Sequence, residues 1–365
     1  MKYIDEYRSS EFVNRYVSRI RKTVRGNWNI MEVCGGQTHA IFKFGLDQLL
    51  SSNITLLHGP GCPVCVTPAS IIDQAISISL KPGTMLCTFG DMIRVPGNDA
   101  DLLSARGQGA DVKIVYSPLD AIEPAKRLPD REIVFLAIGF ETTVPAIASV
   151  VLTADRLKIK NFSILNAIVR IPPAVEALLK DPECRIDALL APGHVCTITG
   201  LREYKSLVNK YQIPIIATGF EPVDLIQGIF AAVEQLERGK ANLSNRYSRA
   251  INFYGNKYAQ YIIGQVFDIT DREWRGLGTI ANSGYNLKEE YKQYDAKNRF
   301  DIALTKSDNE NKCIVSDILS GRSNPSQCPE FGKTCRPGHP LGPMMVSSEG
   351  SCAAYYKYRS NDARR

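Results

Sequence analysis

Eight short apolar runs punctuate residues 29–217, and each stops at a turn rich in glycine or proline. They span 29–33, 54–58, 84–88, 112–116, 132–138, 162–169, 186–190 and 213–217. Most are followed by a stretch of helical periodicity, as at 69–80, 144–157, 172–180, 201–210 and 222–238. Strand and helix alternating over short connections specify an α/β fold with parallel strands, because a parallel pair needs a crossover element between its members. The turn signals divide this region into two similar parallel-sheet α/β domains, 27–128 and 129–240. Two Gly-Phe-Glu turns, at 139 and 219, echo each other as local reuse of one turn. In open parallel sheets ligands bind at the carboxyl ends of the strands. The polar motifs of this chain nearly all fall there.

On either side of this region the pattern differs. Residues 6–24 place Phe12, Val13, Tyr16, Val17, Ile20 and Val24 at helical spacing, an amphipathic helix. Beyond residue 240 strands become scarce, 247–268 is Tyr-rich and amphipathic, and the last fifty residues hold four cysteines with little apparent core. Such a segment calls for a staple, and a metal centre supplies one. A third, loop-rich domain is expected over 241–365, packed with the N-terminal helix within 1–26.

The 365 residues are 44% hydrophobic and 22% charged with a net charge of +6, ordinary for a soluble globular protein. The basic residues are scattered; Arg19-Ile20-Arg21-Lys22 reads as a solvated helix face and Arg364-Arg365 as a frayed tail, and no nucleic-acid module is present. The N-terminus is polar, without the apolar centre of a signal peptide, and no run approaches the roughly 18 apolar residues of a membrane helix. A cytoplasmic location is therefore expected. In that reducing setting ten cysteines read as metal ligands or redox thiols rather than structural disulfides.

Cys34 ends the first strand, is followed by Gly35-Gly36-Gln37-Thr38-His39, and opens a helix. A helix N-terminus favours a thiolate, and the glycines permit close approach of a ligand. A buried small cysteine at a tight turn is the plain alternative. Cys62-Pro63-Val64-Cys65, set in Gly59-Pro60-Gly61, is a Cys-x-x-Cys motif suited to redox chemistry or transient metal binding, or to half of a zinc site. Cys313, Cys328, Cys335 and Cys352 follow the spacing Cys-x14-Cys-x6-Cys-x16-Cys. Four thiolates suit a [4Fe–4S] cluster or tetrahedral zinc, and wide spacing without tight pairs favours the cluster. The four histidines, His39, His58, His194 and His339, all lie in Gly-rich or Cys-containing motifs. Asp91, Arg94, Glu141, His194 and Glu221 are candidate proton carriers or ligand-holding groups, with helix capping the competing role for the carboxylates. Cys87 reads as strand packing, and there is no Walker-type phosphate loop.

Taken together the motifs resemble the HypD family of hydrogenase maturation factors. Those that carry the resemblance are Cys34–His39, Gly59–Cys65, Phe89–Gly97, Gly139–Thr143, Pro192–Val195, Gly219–Pro222, Met345–Gly350 and Cys352–Tyr356, with the four-cysteine spacing. Cys196 departs from the expected small hydroxyl residue. The resemblance implies two α/β domains and a [4Fe–4S] domain, and a role in assembling the Fe(CN)2CO group of [NiFe]-hydrogenases. The partners implied are HypC, which shares the iron, HypE, which donates cyanide, and ultimately the hydrogenase large subunit. Cys34 is then the iron ligand for Fe(II) carrying cyanide and carbonyl, and soft thiolate suits that ion. Cys62 and Cys65 form a thiol/disulfide pair, Cys313, Cys328, Cys335 and Cys352 hold the cluster, and His39 and Asp91 line the iron pocket. Two other readings compete: a stand-alone cluster-driven disulfide reductase, and a structural zinc-binding α/β module.

Overall fold

The structure, a computed structural model, describes residues 5–302 and 313–359; the polar start of the chain and Arg364-Arg365 lie outside the described residues. Two parallel sheets dominate. The first has the order β2-β1-β7-β8-β9 and the second β4-β3-β5-β6. The strands are β1 (Trp28–Glu32), β2 (Ile54–His58), β3 (Thr84–Thr88), β4 (Val112–Ile114), β5 (Glu132–Gly139), β6 (Phe162–Ile168), β7 (Ala188–Pro192), β8 (Ile215–Thr218) and β9 (Leu243–Asn245). The α/β reading with parallel sheets therefore holds, and strand positions agree with the expected runs to within two residues.

The sheets are not, however, the consecutive blocks 27–128 and 129–240. The first sheet joins β1 and β2 to β7, β8 and β9, so β3 to β6 form the second sheet as an insertion between them. Strand periodicity encodes which residues point inward but not which strand lies beside which. β5 is buried from Ile133 onward and its side chains alternate between cores: Ile133, Phe135 and Ala137 join one, and Val134, Leu136 and Ile138 another. That period of two is what a strand covered on both faces requires.

Three apolar cores result. The central one takes one face of each sheet, with Met31, Leu57, Leu189 and Ile215 from the first and Leu86, Val134 and Leu165 from the second. The other face of the second sheet packs on the helix Val144–Arg156. The other face of the first packs on helix α1 (Ser10–Thr23) and the helix Pro222–Glu237. Ser9 caps α1, and its apolar stripe of Val13, Val17 and Ile20 is buried. Tyr16 and Arg19 both lie on the Phe230 ring. The N-terminal helix thus packs on the first sheet's helix and not into a C-terminal domain, although Tyr7 before it stacks under Arg249.

The region after 240 also differs from expectation. An antiparallel hairpin, β10 (Phe267–Trp274) with β11 (Gly278–Leu287), follows the helix Lys257–Val266. Among the described residues the buried apolar side chains beyond 240, Ala259 and Ala354 apart, fall in the central core or that of the second sheet, and form no separate core. The helix Ser351–Arg359 returns to α2 (Gly35–Lys43), where Arg359 pairs with Asp47 and Tyr355 meets Phe42 edge-on. No helix among the described residues is long and apolar enough to cross a membrane.

Candidate metal and thiol site

In the first sheet the chain leaves β1 for β2 on one side and β7 for β8 on the other, so the connections diverge between β1 and β7. A crevice opens at such a switch point, and ligands settle there. Cys34 follows β1 as the N-cap residue of α2, and His194 follows β7 in the helix Gly193–Thr199. Their side chains meet at this switch point, Cys34 Sγ to His194 Nδ1 at 3.7 Å.

The turn at Cys34 is held from below. Glu32, fully buried, accepts hydrogen bonds from the Cys34 N–H (3.3 Å), Thr38 Oγ1 (2.6 Å) and His58 Nδ1 (2.5 Å). A buried carboxylate is tolerable only with such partners. Burial nevertheless pushes its pKa up, against the pull of His58 and Thr38. Around the sulfur, Phe220 packs on the His194 ring at 5.2 Å. A side chain at Gly36 would fall against both Phe220 and the Cys34 sulfur.

The expectation of an acidified Cys34 is corrected by its surroundings. The N–H groups of Gln37 and Gly36 do act to lower its pKa, but the residue is only 2% exposed and burial outweighs them, leaving the thiol well above its usual range. Glu349 and Glu32 add to the rise. His194 is shifted the other way, down to about 4, because burial disfavours its cation. A neutral imidazole therefore faces a protonated thiol, and a metal ion, which favours thiolate, would reverse that balance.

The Cys-x-x-Cys loop is built onto this turn. The Gly35 N–H donates to the Gly61 carbonyl (2.8 Å), and the Gly59 N–H to the Glu32 carbonyl (2.8 Å). Gly61 lies so close to the Cys34 backbone that a Cβ would collide with it. Cys62 caps the short helix Pro63–Val66, its sulfur accepting from the Cys65 N–H at 3.3 Å. Burial raises the Cys65 pKa, with Cys62, Cys352 and Glu349 contributing further. No disulfide joins the pair in this structure.

Beyond Cys65, Cys313, Cys328, Cys335 and Cys352 line one pocket with Ile318, Phe331, Met344 and Met345. The donor set fits an iron–sulfur cluster. Four thiols from one segment surround an apolar cavity, the Leu341 N–H reaches Cys335 Sγ at 3.4 Å, and Gly342 leaves room beside the Cys313 sulfur. Hydrogen bonds to sulfur and apolar walls are features that tune such clusters. No three His, Cys, Asp or Glu side chains among the described residues converge as a ligand set for a single metal ion.

The remaining candidates divide. His39 turns away from Cys34: Nδ1 meets the Ser348 carbonyl at 3.0 Å and Nε2 the Tyr358 hydroxyl at 3.3 Å, so it ties α2 to the C-terminal segment. Asp91, in the turn Gly90–Arg94, adds a like charge to the burial that raises the pKa of Glu349, whose Cβ and carbonyl lie against Gly35. Arg94 donates to the carbonyls of Pro337 and Val346. Glu221 pairs with Arg8 and precedes its helix in a capping position. Glu141 also caps a helix, but the next one, accepting from the Ile171 N–H at 3.0 Å. His339 lines a surface cleft with Lys333 and Arg336. Glu32, Phe220 and Glu349 belong to the site and were not singled out from sequence. An acidic residue in an otherwise apolar strand was the available signal for Glu32.

The family model described as "HypD: Hydrogenase formation hypA family" matches residues 11–359. The chain is 43% identical over 371 residues to the hydrogenase maturation factor HypD of Escherichia coli (strain K12), covering 100% of both chains. It is 43% identical over 368 residues to that of Azotobacter vinelandii, covering 98% of this chain and 97% of the relative. It is 40% identical over 370 residues to that of Rhodobacter capsulatus, covering 98% of each. With near-complete coverage by both kinds of comparison, this chain belongs to the HypD family.

Proposed function

We propose that this chain serves hydrogenase maturation as a scaffold on which an Fe(II) ion, held by Cys34, receives its cyanide and carbonyl ligands to become the Fe(CN)2CO group. The observation that carries this reading is the Cys34–His194 pair across the switch point of the first sheet, with the Cys-x-x-Cys loop hydrogen-bonded directly onto its turn. Glu32 fixes the Cys34 backbone through three donors, so the sulfur is presented in one position. His194, neutral and buried, offers a hydrogen-bonding nitrogen without a competing charge. Phe220 excludes water from that side, which favours retention of a soft, low-spin ion.

Cys62 and Cys65 are spaced to exchange between dithiol and disulfide. Cys313, Cys328, Cys335 and Cys352 would hold a [4Fe–4S] cluster, whose chemistry is one-electron supply. A HypC-type partner is taken to provide the second cysteine to the iron, a HypE-type protein the cyanide, and the hydrogenase large subunit to receive the product. A cytoplasmic location belongs to the same reading, since thiols that ligate iron or cycle with a disulfide persist in a reducing compartment.

The test is anaerobic co-expression with a HypC-type partner, then infrared spectroscopy of the purified complex. Cyanide and carbonyl stretches are expected in the native complex and absent after Cys34→Ala. Stretches that survive Cys34→Ala would overturn the assignment. A complex that reduces disulfides through Cys62 and Cys65 yet never shows the stretches would favour the disulfide-reductase reading.

A further inference from the structure

We propose that Tyr247 is a positioning residue for the Cys34–His194 pair, wedged between the turns that carry His194 and Phe220, and that the N-terminal turn Asp5–Arg8 latches it there. What the latch does for iron rests on the reading of Cys34 as the iron ligand. Tyr247 follows β9, the last strand of the first sheet. The Arg246 N–H donates to the Ala217 carbonyl (2.8 Å) and the Tyr247 N–H to Asn245 Oδ1 (2.9 Å), so the chain continues along β8 and delivers the ring to the carboxyl edge of the sheet. There opposite carbons of the ring face two glycines. A Cβ on Gly193 would lie 2.7 Å from Cδ1, and a Cβ on Gly219 2.7 Å from Cε2. The ring fills the space that a side chain at either position would need. Gly193 precedes His194, and Gly219 precedes Phe220. Tyr247 also meets the Phe220 ring edge-on, with centroids 6.2 Å apart and planes at 86°, a favoured geometry for aromatic pairs.

Phe220 in turn stands against the site. Its ring lies 5.2 Å from that of His194, and a Cβ on Gly36 would be 3.3 Å from Phe220 and 3.6 Å from Cys34 Sγ. The contacts thus run from Tyr247 to Phe220 to His194 to Cys34 Sγ, the last at 3.7 Å. Over the Tyr247 ring lies the Arg249 guanidinium, 4.4 Å from its centroid, and the Tyr7 ring lies 3.7 Å from the same guanidinium. Asp224, fully buried, fixes that guanidinium through a fork of two hydrogen bonds, 2.7 and 2.6 Å. Asp224 also accepts from the Glu221 N–H (3.4 Å), and Arg8 grips the Glu221 carboxylate through Nε (2.6 Å) and Nη2 (2.9 Å). Tyr7 and Arg8 are adjacent, so one short turn covers the Tyr247–Arg249 stack and holds the residue after Phe220.

The latch is able to yield. The Arg8 side chain is 52% exposed, and exposed ion pairs hold weakly and are screened by salt. When Tyr7 and Arg8 leave, Arg249 keeps its buried partner Asp224, while Tyr247 and Phe220 lose their cover and gain room to move. A shut latch keeps Cys34 at 2% exposure, and an open one admits a reagent or an ion to the sulfur.

The experiment alkylates the metal-free full chain with iodoacetamide and follows each cysteine by mass spectrometry. The double variant Tyr7→Ala/Arg8→Ala is expected to label at Cys34 at least about ten-fold faster than wild type, with Cys87, buried in the second sheet, unchanged. Wild-type labelling at Cys34 is expected to quicken between about 0.1 and about 1 M salt, and that of the double variant to stay constant. Tyr247→Phe, which keeps the ring, is expected to match wild type, and Tyr247→Ala to match the double variant. Wild-type rates at Cys34 in the double variant and in Tyr247→Ala overturn the proposal. An equal rise at Cys87 also overturns it, since that marks general loosening of the fold. Fe(II) loaded anaerobically is then challenged with a chelator, and faster loss from the double variant than from wild type is expected. Faster labelling of Cys34 with unchanged iron retention overturns the iron-site reading instead and leaves the latch standing.

Discussion

A carboxyl group that folding leaves protonated makes stability depend on pH in a direction opposite to most acidic residues. Glu141 has an ordinary value of 4.5 when unfolded and about 7 when folded. Between these the native state binds more protons than the unfolded chain, so stability falls as pH rises through the interval and stays lower above it. The difference amounts to at most about 3 kcal/mol. Glu141→Gln removes this slope. Denaturant unfolding at about pH 5 and about pH 8 is expected to give a smaller loss on alkalinisation in the variant than in the wild type, by up to about 3 kcal/mol. Equal losses would mean that the carboxylate is not held in a desolvated place. The same residue shows how far sequence alone reached. Glu141 was legible as an acid at a strand–helix turn with capping as the competing role. It does cap a helix, but across the chain at Ile171, because the strand end points it toward the start of the helix Ile171–Lys180.

At the scale of elements, the Cys-x-x-Cys loop and the Cys34 turn behave as one unit. Gly61→Ala places a methyl group against the Cys34 backbone, where no flexible side chain can yield. The expected cost is about 2–4 kcal/mol in chemical denaturation, with displacement of Cys34 and loss of the infrared signature. Gly107→Ala, which meets nothing within 4 Å, is the matched control. The four-thiol pocket gives a separable outcome: Cys328→Ala is expected to lose the visible absorbance of a reconstituted cluster while keeping the far-ultraviolet spectrum of the sheets. Four irons retained in that variant would falsify the ligand set. Strands cut by glycine turns were readable because buried parallel strands are continuous apolar runs. The hairpin was not. Phe267–Trp274 mixes Asp268, Asp271, Arg272 and Glu273 with its few buried positions, and its exposed face masks the alternation. Its turn did carry a signal: Gly276 and Gly278, both with positive φ.

For the whole molecule, the interleaving of sheets decides what can fold alone. A cut between 128 and 129 separates β3 from β5 and β1 from β7, stripping each sheet of an interior partner. Fragments 1–128 and 129–365 expressed separately are expected to lack the dispersed amide spectrum and cooperative unfolding of the intact chain, and to regain both only on mixing. Either fragment folding by itself would restore the consecutive-domain picture. The order of strands escaped the sequence because apolar periodicity is blind to neighbours. The site escaped in the same measure: Cys34 and His194 were each legible as strand-end residues, but their meeting depends on β1 lying beside β7.

That adjacency also sets a schedule during synthesis. His194 is made 160 residues after Cys34. At ribosomal rates of roughly 5–20 residues per second, the thiol waits on the order of ten to thirty seconds before its crevice partner exists. Through that interval β1 has only β2 beside it, and the nascent Cys34 has neither the imidazole nor the phenyl wall that later surrounds it. An ion captured then would be bound by an open, solvated thiol and easily lost. On the proposed role of Cys34, the threading of the first sheet lets retention of iron begin only when most of the chain has left the ribosome.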